Sequence, residues 1–403
     1  MNKKIFFVIL YLYTLVFSVL KSIRFPNSWA EAHWMLDYRF GFIKRGLAGE
    51  ILGFFVEKNE SVIVWVSGVI LGILYPLLLL VAIKQTLSSK GNGLYTGMFY
   101  IIFFLSQYLV YSAHLIGYLD HIIFLLGIFI VQLILKRKIL LPSILLSIGM
   151  VIHEISFFLI LPVSVFALIV SGVQKNNPVL KDRLFRKSAI FLILPMITVI
   201  GISLYEEIYG KESYFYLFNY LKNIQFIGER VAGSVASAYT EKLSYYFAEE
   251  SPHLFQRLFI STCTILCGVP LLFLCFILYK RFYKKIGTYL FFIALVVIFF
   301  PLLLNAIAWD TYRIWSFPYM IMFIVFGILN DQWKDDEIKL NKISVSETIV
   351  FFISILLVGV GPNILMDDEV ERFSFLERVI GLLPIFLMMF YYYKSLNKNI
   401  LRP

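Results

Sequence analysis

The topology of this chain turns on "ILLPSILLSIGMVIHEISFFLILPVSVFALIVSG", residues 139–172. This block of 34 residues is apolar apart from a few serines and the pair His153 and Glu154 near its centre. As one long helix it would bury Glu154 near the bilayer centre, at a cost of about 2.5–3.5 kcal/mol even on a lenient scale. It would also carry the next basic cluster (Lys175, Lys181, Arg183, Arg186, Lys187) away from the cytoplasm, against the positive-inside rule. Two short helices meeting at His153–Glu154 avoid both penalties. The block is therefore predicted to be a hairpin with its tip at the outer face.

Working outward, the same logic covers the whole chain. It has 403 residues, 60% apolar and 15% charged, with mean hydropathy +0.82. Soluble domains run at about 45–50% apolar and about 25% charged, so an all-α polytopic membrane protein is expected, with 1–403 as a single transmembrane domain. A crossing helix needs roughly 20 apolar residues. Runs near 4–21, 61–83, 95–113, 121–135, 139–152, 155–172, 188–205, 258–279, 286–304, 314–329, 347–361 and 377–393 predict twelve such helices. The start, "MNKKIFFVILYLYTLVFSVLK", has the basic opening of a signal peptide, but its apolar run is long and no small-x-small site follows. It reads as an uncleaved first helix.

With both termini in the cytoplasm, the cytoplasmic segments hold 22 Lys and Arg and the outer ones 14. The net charge of +10 is thus spread in short topogenic clusters such as "KRK" (136–138) and "KRFYKK" (280–285), which argues against a nucleic-acid partner. Cys263, Cys267 and Cys275 share one apolar run and read as packing residues. His33, His114, His121, His153 and His253 all fall at the outer face or in an outer loop. The two larger outer segments are 22–60, with an amphipathic juxtamembrane helix, and 206–257, an aromatic-rich loop suited to an interfacial lid or a sugar-stacking surface.

Four polar constellations stand at that face. In "DYRFGFIKRGLAGEIL" (37–52), Asp37 has the chemistry of a general base and Arg39, Lys44 and Arg45 that of a phosphate grip. The other reading is a local ion pair with cations on lipid head groups. In "SAHLIGYLDHI" (112–122), Asp120 and His121 suit acid–base or substrate contacts. A divalent metal held with His114 stays open there, as does simple helix capping by Asp120. In "GMVIHEISFFLILP", Glu154 is a second candidate carboxylate and His153 its partner, or the two merely seal the hairpin tip. In "NAIAWDTYRIWSFPY", Asp310 and Arg313 lie three apart and either pair with each other or leave Arg313 for an anion. No phosphate loop, nucleophile elbow or H-E-x-x-H motif occurs, so the divalent metal is the one cofactor left open.

An acidic residue in the first outer loop followed by a juxtamembrane helix resembles the GT-C superfamily of integral membrane glycosyltransferases. That resemblance implies Asp37 as the catalytic carboxylate, Asp120 as a second acidic site, and a polyprenyl-phosphate sugar as donor. Twelve helices, a large aromatic outer loop and the R-x-x-x-G pattern of "RGLAG" (45–49) also resemble O-antigen and capsule polymerases. A His within an apolar stretch is similar to EpsG-like exopolysaccharide proteins.

The expectation is therefore glycosyl transfer at the outer face of a bacterial inner membrane. The carrier is a polyprenyl (pyro)phosphate glycan, and the partners are membrane lipid and other polysaccharide-assembly proteins. Asp37, Glu154, Asp120 and His153 are the catalytic candidates. Arg39, Lys44, Arg45, His121, Asp310 and Arg313 are the binding candidates. The alternatives are a transporter or lipid-linked glycan flippase, and an acyltransferase using His153 or His121.

Overall fold

The computed structural model describes residues 3–88, 93–173, 179–333, 343–361, 365 and 369–400. Lys175 of the basic cluster, and Asp367 and Asp368 of the acidic run "DDEVER", lie outside the described residues. The chain is an all-helical, multi-pass membrane protein. Among the described residues seven helical segments are long and apolar enough to cross a membrane, and five shorter apolar helices accompany them.

Residues 139–172 do form a hairpin. The helix Leu140–Ile152 ends where His153 turns extended, at φ −160° and ψ 119°, and the helix Ser156–Val173 returns from it. The tip is tied locally, with His153 N donating to Gly149 O at 2.9 Å and Ser156 Oγ to the same oxygen at 2.9 Å. A second reversal sits at Gly287, whose φ of 73° interrupts Gly268–Phe299. In a continuous helix Tyr279 and Phe291 would stand about 18 Å apart, yet their rings are 5.7 Å apart. Only glycine takes that backbone angle without strain.

Burial sorts the helices. The segment Leu94–His114 is wholly enclosed and Thr311–Gln332 nearly so. They meet through Phe99 stacked on Phe326 at 3.9 Å and Phe103 on Phe323 at 4.6 Å. By contrast the apolar window of Arg186–Lys222 is only 17% buried, so its outward Ile and Leu side chains face the bilayer's hydrocarbon.

Two segments cover one end of this bundle. Residues 22–60 carry the helix Ser28–Met35, capped by Asn27, and the helix Gly46–Phe55. The second turns Ile51, Phe54 and Phe55 outward and Ala48, Gly49 and Leu52 inward, as an interfacial helix does. Its crossing is close: a Cβ on Gly49 would fall 1.9 Å from the Leu36 carbonyl oxygen. The segment 206–257 is not a loop. Residues 206–209 finish the helix Val179–Tyr209, and three short helices follow, Tyr214–Lys222, Glu229–Thr240 and Leu243–Glu250. The middle one buries Val231, Ala232, Val235, Ala236 and Tyr239, a 3.6-residue rhythm that the surrounding tyrosines and charges mask in the sequence.

Candidate functional site

The two covering segments, the hairpin tip and the loop before Thr311 enclose two clefts that share a wall. The inner cleft, about 510 Å³, runs between apolar side chains of Ser156–Val173 and Val179–Tyr209, among them Phe157, Phe158, Val199 and Ile200. The outer cleft, about 580 Å³, is polar and aromatic, with Trp29, Tyr118, Ser234, Tyr245 and Glu249 on its walls. His33, Arg45, Trp309, Asp310 and Arg313 line both.

A chain of alternating charge crosses the junction. Arg45 Nε donates to both oxygens of Glu154, at 3.0 and 2.9 Å. His153 Nδ1 lies 3.2 Å from Glu154 Oε2, and its Nε2 lies 3.9 Å from Asp120 Oδ1. Arg313 clasps Asp120 with Nε and Nη2, at 2.9 and 2.8 Å, and gives Nη1 to Asp310 at 3.2 Å. Beside this chain, Lys44 Nζ donates to Glu206 Oε2 at 3.3 Å and to the Glu241 carbonyl at 3.1 Å. Such charges persist in an enclosed site because each has a partner.

Local sequence explains the aim of these groups. Arg45 sits at φ 61°, the left-handed region uncommon for a side-chain-bearing residue. That angle lets the turn before Gly46–Phe55 direct its guanidinium at the hairpin tip. Arg313 lies in the first turn of Thr311–Gln332, one helical step from Asp310. Aromatic faces support the cations, with Arg313 over Tyr118 at 5.1 Å, Arg45 over Tyr239 at 5.8 Å and Lys44 over Tyr246 at 5.8 Å.

Protonation follows from the surroundings. Burial opposes the charge on Glu154, but Arg45 and His153 outweigh it and hold the carboxyl well below its usual range. Burial, then the Arg45 charge, lower His153. His33 is driven well down by burial and by Arg45, so it stands neutral, with Nδ1 3.1 Å from the Tyr239 hydroxyl. Asp310 goes the other way: burial raises it, and Arg313 offsets this only in part. Two of the carboxylates lining the inner cleft each carry one buried oxygen with no hydrogen-bond partner, Asp310 Oδ1 and Glu206 Oε1.

The sequence candidates divide accordingly. Lys44, Arg45, His153, Glu154, Asp310 and Arg313 line the inner cleft. Asp120 stands directly behind Arg313. Asp37 and Arg39 line neither cleft. Asp37 caps the turn Tyr38–Phe40 and accepts from Arg39 Nε and Nη2 at 2.7 and 2.6 Å and from Lys58. Burial alone would raise it, but these hydrogen bonds bring it down to about 2. It is the local ion pair that the charge density of 37–45 allowed, and it has no lone pair turned to a cavity. His121 is likewise spent on backbone, its nitrogens 2.9 and 3.0 Å from the Tyr118 and Ser112 carbonyl oxygens. Among the described residues no group of three His, Cys, Asp or Glu is placed to hold a metal.

Sequence reasoning passed over His33 as a site residue, and also Glu206 and Tyr239. A pair of acids, Glu206 and Glu207, at the end of a long apolar run was the available signal for Glu206.

No curated protein and no solved structure matches the chain. The family described as uncharacterised membrane protein Rv1490 matches residues 4–205. That stretch includes Arg45, Asp120 and the His153–Glu154 tip, and stops just short of Glu206. Because the match spans half of its residues, the chain belongs to this family of membrane proteins.

Proposed function

We propose that this protein is a glycosyltransferase or repeat-unit polymerase of bacterial surface-polysaccharide biosynthesis. It would sit in the inner membrane with twelve crossings and both termini in the cytoplasm, and use a polyprenyl (pyro)phosphate donor at the outer face. One observation carries the reading: the inner cleft joins a bilayer-facing apolar wall to a polar end bearing Lys44, Arg45 and Arg313 beside the unpartnered oxygen of Asp310. A polyprenyl chain suits the wall, and a guanidinium has five N–H donors, so Arg45 keeps some for a phosphate beyond those given to Glu154, and Arg313 beyond those given to Asp120 and Asp310.

Asp310 takes the role first expected of Asp37. Its raised pKa and free oxygen suit a general base, whereas a doubly clamped carboxylate has neither. Asp310 accepts the proton of an acceptor hydroxyl arriving through the outer cleft. The hydroxyl oxygen bonds to the sugar's anomeric carbon as that carbon's bond to the phosphate oxygen breaks. Arg45 and Arg313 stabilise the negative charge left on the departing carrier.

The test is deletion of the gene with gel analysis of lipid-linked and surface glycans, complemented by wild type and by Asp310→Asn. Chains collapsing to one repeat unit identify a polymerase, and a repeat short by one sugar identifies a transferase. In either case Asp310→Asn should fail to complement. Unchanged glycans sink the reading. They would favour a proton-coupled transporter, for which the near-balance of carboxylates and cations at the junction is the supporting observation.

A further inference from the structure

We propose that Glu206 and Lys44 form a head-group subsite that recognises a hydroxyl of the transferred sugar, leaving phosphate to Arg45 and Arg313. The proposal rests on the lipid-donor reading above and divides the inner cleft between two chemistries.

Glu206 is 6% exposed, and its two oxygens have different fates. Oε2 accepts from Lys44 Nζ at 3.3 Å, and Lys44 is itself anchored on the Glu241 carbonyl and over the Tyr246 ring. Oε1 has no partner and belongs to a residue lining the cleft. The carboxylate is therefore held by Lys44 through one oxygen, while the second is buried without a partner beside the cleft. Burying such an acceptor unsatisfied is unfavourable, and a ligand hydroxyl would satisfy it. A phosphate would not, because it brings acceptors and negative charge to a carboxylate whose nearby cations, Lys44 and Arg45, are already engaged with carboxylates. The arginines at the junction are also paired with carboxylates, but each guanidinium has N–H donors beyond those bonds to offer a phosphate. Tyr246, also on this wall, supplies a ring face of the kind that sugars stack against.

The experiment measures binding to the detergent-solubilised full-length protein. The probes are undecaprenyl phosphate alone and a panel of undecaprenyl-phosphate glucose, mannose and N-acetylglucosamine. Wild type should bind at least one glycosylated lipid about tenfold or more tightly than the bare phosphate, as expected of one hydrogen bond to a charged group. Glu206→Ala should abolish that preference while leaving affinity for the bare phosphate unchanged or improved, since a negative charge is removed. Glu206→Gln should retain part of the preference. A merely structural role lowers affinity for both lipids together, so parallel loss, or an intact preference in Glu206→Ala, overturns the proposal. If wild type binds the bare phosphate but no glycosylated lipid more tightly, the subsite is refuted and the lipid-donor reading survives. Binding of neither class refutes both.

Discussion

Two regions of this molecule place carboxylates among cations beside the membrane, and they differ in what is left over. Around Asp37 every lone pair is engaged: Arg39 and Lys58 take both oxygens, and the carboxyl sits at about 2. Around Asp310 and Glu206, which line a cleft, each carboxyl gives one oxygen to a cation and keeps the other buried without a partner. The first arrangement fastens the chain between Ser28–Met35 and Glu60–Ser88. The second holds unspent hydrogen-bonding capacity, which chemistry or binding requires. What separates structure from function here is the pairing of the charges, since both regions are equally dense in them.

Four measurements would sharpen or break that contrast. The largest effect belongs to Asp310→Asn. Loss of a general base should lower kcat by about 10²–10⁴. The melting temperature should hardly move, because Arg313 keeps its two bonds to Asp120. A large loss of stability with catalysis retained would reverse the assignment. Next, Asp37→Ala should cost stability on the order of 3–5 kcal/mol, because it strands Lys58, whose side chain is 4% exposed. Turnover per folded molecule should survive. Loss of turnover at unchanged stability would restore Asp37 to the catalytic role.

The third measurement varies pH. Asp37 is depressed from 3.8 to about 2 on folding, so the folded state binds its proton less readily than the unfolded chain does. The stabilisation, roughly 2 kcal/mol, is present above about pH 4 and lost as pH falls through the folded value. The stability gap between wild type and Asp37→Asn should therefore narrow between pH 4 and 2, and a gap that is flat over that range contradicts the clamp. The smallest effect is Arg39→Ala. Its side chain is 52% exposed, and an exposed partner contributes about 1 kcal/mol at most. A larger cost would mean that Arg39 holds more than Asp37.

Much of the fold was readable in advance because the bilayer penalises charge so heavily. The hairpin at His153 and Glu154 follows from that penalty together with the side of the membrane required for the next basic cluster, and the structure has it. The pairing of Asp310 with Arg313 was readable from a three-residue spacing. The stronger partner of Arg313 was not, because Asp120 lies 193 positions earlier in the chain. The same holds for Arg45 and Glu154, separated by 109 positions. The region 206–257 read as a loop because its aromatic residues are shared between buried and exposed faces, which blurs the helical period. There Phe215 and Tyr216 are exposed while Tyr239 is enclosed.

Hydropathy and charge spacing suffice to establish a helical, multi-pass membrane protein with its acids and histidines gathered near helix ends, since transfer free energy acts residue by residue and needs no partner. Which of those acids are spent and which are free depends on contacts between segments far apart in sequence. Asp37 and Asp310 look alike as letters. Only packing puts Lys58 on one and a cleft beside the other, and it does so because ion pairing is decided by distances of a few ångströms that no local spacing encodes.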